Sequence, residues 1–541
     1  MKAVYIIIFS VLMYSCMPYD TIITNGSVYD GTGGNVQNVD IGIKKERIKT
    51  VGIINKKRAK TIIDATGRVV SPGFINNLSW AAYPLELDGR SMSDIKQGVT
   101  LEIFGEGSSP GPYNPEKSKT DRITLGENME YLVKKGISTN IASFIGATTL
   151  RLHQVGRDDR PPTAEELLKM QELVKEGMEE GALGIGSSLI YPPAFFASTE
   201  ELIALCKAAS PYNGTYISHM RSEGDKLKEA VEELITIAQE AKVDAEIYHL
   251  KAAGERNWDK LDEVLEMIEN ARQSGLNITA NMYNYTGAST GLDACLPPWT
   301  QDGGKEALMK RLTDPEIKKK IIAEMQQPKN DWENFLQLAG DPANILLLGF
   351  DQDSLRYLNG KNLGEVAIKR GISPAETVID LIVANDGDIS SAYFLMSEEN
   401  VKKQLQLPYI TFCSDARSIA SEGENLKYMT HPRTYGNFAR LLGKYVREEQ
   451  VLSMEEAIYK LSGLAAEKLK IAERGKLIES YFADVVVFDP EKITDKATFT
   501  EPHQYAEGVT YVFVNGTTVL ENGKHTGATP GRFVKGSGYK K

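Results

Sequence analysis

Two of the six histidines in this chain, His219 and His249, close short β-branched and aromatic runs, Thr-Tyr-Ile-Ser-His and Asp-Ala-Glu-Ile-Tyr-His. One helical stretch separates the runs, so the imidazoles fall at the ends of neighbouring strands, one strand–helix unit apart. Neutral imidazole is a borderline ligand, and two from adjacent strand ends make half of a zinc site. The same spacing also fits two hydrogen-bonded histidines near a surface. Asp415 ends another apolar run, Tyr-Ile-Thr-Phe-Cys-Ser-Asp. A carboxylate there can ligate a metal, act as a general base or cap a following helix. Glu106 lies between glycines in Phe-Gly-Glu-Gly, after Gly-Val-Thr-Leu-Glu-Ile. The glycines permit a tight turn that could aim the carboxylate at a metal; a solvated loop glutamate is the alternative.

These strand ends need a frame. From about 72 to 470, short apolar runs alternate with amphipathic helices, one of which carries Leu227, Val231, Leu234 and Ile235 at helical spacing. Alternating strands and helices imply parallel strands joined by crossovers. GVTLEIFG, GALGIGSS, ANILLLGF and YITFCSD add further candidate strands. The count fits an α/β fold of the (β/α)8 TIM-like barrel kind, whose sites sit at the carboxyl ends of the strands. A doubly wound sheet is the alternative fold. The absence of a GxGxxG loop after the first strand counts against a dinucleotide site. Residues 19–71 and 471–541 are rich in alternating apolar and polar positions with Gly, Asn and Pro turns, which predicts a small β-sandwich domain formed from both chain ends. Residues 296–327 form an expected helical insertion, either a pocket wall or a surface elaboration.

Composition narrows the function classes. The 541 residues include 62 Lys and Arg against 73 Asp and Glu, a net charge of −11. An acidic chain without a basic run is not expected to bind nucleic acid. Cys16, Cys206, Cys295 and Cys413 contain no CxxC pair, so neither a disulfide framework nor a thiolate zinc site is expected. The apolar stretch AVYIIIFSVLM and the following Tyr-Ser-Cys resemble a secretory signal peptide. Residues 1–16 are therefore expected to be a signal peptide and lipobox, with lipid attached at Cys16. That would make an exported protein, periplasmic or anchored to a membrane. An ordinary signal peptide with an incidental cysteine is the alternative. Nothing in the sequence sets an oligomeric state.

A longer set of motifs runs from about residue 20 to the end: QGVTLEIFGEGSSPGP, EEGALGIGSSLIYPPAFFASTEEL, YISHMRSEGDKL, YHLKAAGERNWDKLDEVL, NYTGASTGL, CSDA, HPRTYGNFARLLGKYVRE and ATFTEPHQYAEGVTYVFVNG. Through them the chain resembles the N-acyl-D-amino-acid deacylase (D-aminoacylase) family of the amidohydrolase superfamily. The resemblance implies a zinc-containing barrel that hydrolyses the amide of small N-acyl-D-amino acids. It implies His219 and His249 as zinc ligands and Asp415 as the acid/base. Lys251, Tyr283 and Ser289 match positions that grip the substrate carboxylate. Arg221 and Arg433 would add charge there or serve in structural ion pairs.

The chain also departs from that pattern. Amidohydrolases usually end the first barrel strand in His-x-His; here Leu78 and Trp80 stand at those positions, and neither can bind zinc. A cysteine ligand common after the second strand is missing near Gly107, and the Asp of a usual DVYPY motif is Asn281. Glu106 is the expected substitute ligand, so about one zinc per chain is expected, held by Glu106, His219 and His249. The alternatives are an inactive binding protein for acylated D-amino acids or cell-wall fragments, or a hydrolase of cyclic amides or D-residue dipeptides.

Overall fold

The computed structural model describes residues 18–540 apart from 117, 329 and 330. The expected signal peptide and Cys16 lie outside the described residues. Among the described residues, no helix is long and apolar enough to cross a membrane.

Eight parallel strands build the centre: β1 (Phe74–Asn76), β2 (Val99–Phe104), β3 (Asn140–Ser143), β4 (Gly184–Ser188), β5 (Thr215–His219), β6 (Ala245–Ile247), β7 (Ile278–Met282) and β8 (Ile410–Phe412). β1, β2 and β3 pair in sequence. Past β3 the chain continues into Ile145–Gly146, which pairs with β4 and leads through β5, β6 and β7 to β8. The barrel closes where the Asn77 N–H donates to the Phe412 carbonyl and Ser79 bridges Ala416. Every residue of β2, β5 and β7 is buried, as strands covered on both faces must be.

The crossover helices follow local signals. The helix Ala164–Glu180 opens on a Thr163/Glu166 capping box and stops at the left-handed Gly181. Leu227, Val231 and Leu234 form the buried stripe of the helix Leu227–Ala241 after β5.

One expected strand is placed elsewhere. Ile345–Gly349, within ANILLLGF, is not in the barrel. It pairs antiparallel with Ser390–Phe394, which also pairs with Gly287–Gly291. This three-stranded sheet belongs to a long excursion between β7 and β8. The helices Lys305–Thr313 and Pro315–Met325 are only its first part. An apolar run buried on both faces does not reveal whether its partners run parallel, so periodicity alone could not separate the two. β3, which no motif singled out, takes the remaining barrel place.

Both chain ends meet in β structure. Arg47–Gly52, Asp40–Lys44, Tyr19–Thr24 and Ala59–Asp64 form one sheet. In the other, Val69–Pro72 pairs antiparallel with Val485–Phe488. Ile23, Ile41, Ile43, Val70, Val485, Val487 and Phe513 share the apolar layer between them.

Candidate functional site

Glu106 leaves the end of β2 on a turn that only glycines allow. Gly105 and Gly107 have φ of 110° and 68°, and a Cβ at Gly107 would meet Ser188 Cβ at 2.7 Å. The turn carries the carboxylate inward to the ends of β5 and β6. There Glu106 Oε1 lies 3.0 Å from His219 Nδ1 and 2.9 Å from His249 Nε2. The two rings meet edge to face at 4.6 Å. All three side chains are buried, and among the described residues they form a group able to hold a metal ion. One carboxylate oxygen and two imidazole nitrogens are a donor set suited to zinc. Their separations approach the roughly 3.3 Å between neighbouring ligands of a tetrahedral ion with ~2.0–2.1 Å bonds. The residues present therefore fit the ion.

Burial pushes the Glu106 carboxyl up, but the two imidazoles outweigh it and hold it at about 2. For His249, burial and Lys251 push the ring down, while Glu223 and Glu106 overcome both and raise it to about 9. An ion entering here must displace that proton.

Glu223, four residues beyond His219, was not singled out from the sequence. Its Oε1 lies 2.9 Å from His249 Nδ1 and accepts from Lys251 Nζ at 2.5 Å. It thus backs the imidazole from the side away from Glu106, as an orienting carboxylate does behind a metal-bound histidine. Burial opposes its charge, yet Lys251 and the imidazoles hold its carboxyl well below the usual range. A carboxylate one short loop beyond a strand-end histidine was the available signal.

Asp415 stands past the end of β8. His249 and Asp415 have φ of 34° and 46°, a costly region for residues other than glycine. Both are pinned: His249 N–H donates to Asn281 Oδ1, and Asp415 N–H donates to the Leu78 carbonyl. Asn281 therefore has a definite use, since its Nδ2 also donates to Glu246. Asp415 Oδ1 accepts from Trp80 Nε1 at 3.0 Å, and its Oδ2 lies 2.9 Å from Arg433 Nη1. The second contact is a charge contact, because Arg433 Nη1 and Nε have no aligned acceptor. Arg433 is buried, stacks over Tyr283 at 4.4 Å, and is set by His431, which accepts its backbone N–H.

The cluster shares one field. Burial, Glu106 and Asp415 all push the hydroxyls of Tyr191 and Tyr248 up. Sequence reading missed both tyrosines. The Tyr191 ring packs on His219 at 5.3 Å, and the buried Tyr248 hydroxyl has no partner.

The other expected site residues divide. Lys251 and Tyr283 are in the cluster, with the ammonium 5.5 Å above the Tyr283 ring. Lys251 is engaged by Glu223. Ser289 offers its carbonyl to Arg433 at 3.4 Å, but its hydroxyl donates to the Ser391 carbonyl. Arg221 is turned to Glu233 and to the carbonyls of Phe195 and Ala197, which accounts for the guanidinium as a structural ion pair. Leu78 is buried, and its side chain offers no ligand.

Known proteins share this architecture. The amidohydrolase family profile matches residues 427–520. A D-aminoacylase from Alcaligenes xylosoxydans xylosoxydans is 31% identical over 96% of this chain and 98% of its own length. A solved N-acyl-D-glutamate deacylase from Bordetella bronchiseptica is 26% identical with a TM-score of 0.79, covering 96% of this chain and 99% of that one. It holds zinc and a phosphonate mimic of the tetrahedral intermediate. A solved D-aminoacylase, 30% identical with a TM-score of 0.78 over 96% of this chain and 100% of that one, is described by one-metal activation and second-metal attenuation of a binuclear centre. With a parallel barrel, a β-sandwich from both ends and likeness along almost its whole length, the chain belongs to the D-aminoacylase family of the amidohydrolase superfamily, and it is a hydrolase of amide carbon–nitrogen bonds.

Proposed function

We propose that this protein hydrolyses N-acyl-D-amino acids with a single zinc ion held by Glu106, His219 and His249. The observation that carries the reading is the convergence of Glu106 Oε1 on both imidazoles. Leu78 and Trp80 supply no donors for a second ion. Relatives named for D-aminoacylase and N-acyl-D-glutamate deacylase activity support the substrate class.

When bound, zinc supplies Lewis acidity, polarising an amide carbonyl and lowering the pKa of water to roughly 7. Asp415 takes the proton of the attacking water and returns it to the leaving nitrogen, because an amine anion is a poor leaving group. Arg433, buried with N–H groups lacking aligned acceptors, binds the substrate carboxylate. Tyr283 supports the guanidinium, whose Cζ lies 4.4 Å from the centre of its ring. Glu223 and Lys251 keep His249 oriented. The leader adds a separate expectation: an exported protein tethered by lipid at Cys16, which Cys16→Ser would release from the membrane fraction.

The test is metal analysis of dialysed protein with parallel assays of N-acyl-D- and N-acyl-L-amino acids, each with and without chelator. About one zinc per chain and chelator-sensitive turnover of the D series are expected. Folded protein without zinc or turnover would overturn the reading in favour of a binding protein.

A further inference from the structure

The first barrel strand supplies no metal ligand, yet its exit is held to the site with care. Ser79 N–H donates to the Ile103 carbonyl and Trp80 N–H to the Ala416 carbonyl. These bonds tie the exit of β1 to β2 on one side and to the segment after β8 on the other, and the Trp80 indole meets Asp415 at 3.0 Å. The indole is nonetheless 40% exposed. Packing alone is a weak account of an open tryptophan whose N–H is spent on a half-buried carboxylate.

The opposite oxygen of Asp415 faces Arg433, and there lies a hazard. A guanidinium and a carboxylate prefer a two-pronged pair with parallel hydrogen bonds. Arg433 Nε and Nη1 lack aligned acceptors, so the fork is open. A carboxylate free to rotate would close onto it. Asp415 would then lose its free lone pair, and Arg433 would lose the donors that meet substrate.

From this geometry we infer that Trp80 is a positioning residue that holds Asp415 Oδ1 away from Arg433, keeping the base and the carboxylate-binding guanidinium separately available. The inference rests on the roles given to Asp415 and Arg433 above. The first-strand position that commonly binds metal in the superfamily orients the base in this chain.

The test is kinetic, on the zinc-loaded full chain. Trp80→Phe keeps an aromatic ring and removes the N–H. It is expected to lower kcat about ten- to a hundredfold, the scale of a misplaced catalytic group. KM should rise for N-acyl-D-amino acids and stay unchanged for their carboxamides, which do not call on Arg433. On an Arg433→Gln background the same change should cost less than about threefold, because the competing fork is gone. Replacing Trp80 by its benzothienyl analogue, which keeps the shape without the N–H, repeats the measurement if the phenylalanine variant folds poorly. Wild-type kinetics in both Trp80 variants, with Asp415→Asn inactive, would overturn the inference alone. A loss that persists undiminished on the Arg433→Gln background, or equal KM changes on both substrates, would also overturn it by showing a merely structural role. Normal turnover by Asp415→Asn would instead sink the underlying assignment of the base.

Discussion

At the rim of β5 and β6, His249 has Glu106, Glu223 and Lys251 all within 2.9 Å of its ring nitrogens, and Glu106 reaches on to His219. At the rim of β1 and β8, Asp415 has one neutral donor, Trp80, and one cation, Arg433. The first side stacks ionisable groups until their protonation is mutually dependent. The second gives a single carboxylate two unlike neighbours. Buried charges are tolerable only when matched, and a crowded set of carboxylates and imidazoles is matched by a dication or by protons. On the proposed reading, the comparison separates a side suited to an ion from a side suited to a base.

The sharpest way to break this contrast removes one group from each side. His249→Ala should abolish zinc binding and, with it, all measurable turnover; metal content after dialysis and the D-substrate assay would show it. Retained zinc would move the ion elsewhere. Asp415→Asn should keep zinc and lose turnover by about 10²–10⁴-fold, the range for a general acid/base. If both variants lost zinc together, the two rims would be one site rather than two.

A smaller effect sharpens the account of the β5 side. Glu333, from the excursion between β7 and β8, accepts from Ser222 Oγ at 2.6 Å and from the Glu223 N–H at 3.0 Å. Burial, aided by the Glu223 charge, raises its carboxyl from 4.5 to about 7. A raised acid binds its proton more tightly in the folded state. Its contribution is therefore full below about pH 4.5 and is lost as pH rises through about 7. Glu333→Gln should flatten that decline in melting temperature, by a contribution of at most about 3 kcal/mol. Melting curves from pH 4.5 to 8 would test it, and an unchanged slope would remove Glu333 from the support of this rim.

Much of this was written in the sequence. The helical stripe of Leu227, Val231 and Leu234 and the runs ending in His219, His249 and Asp415 are local patterns, and local backbone preference is enough to place them on strand ends and helix faces. Glu106 was legible because its flanking glycines announce a turn. The fate of Ile345–Gly349 was not, since strand partners are chosen by distant segments. Arg221 and Arg433 carry the same group, and only packing sent one to Glu233 and the other to Asp415. Glu223 and Trp80 were equally silent, because neither type nor spacing reveals which atom a side chain will meet. Residue order thus determined which groups reach the mouth of the barrel. The closing of β1 against β8, and of the β2 turn over β5 and β6, decided which of them touch, because hydrogen bonds and ion pairs depend on angstroms that only the folded chain sets.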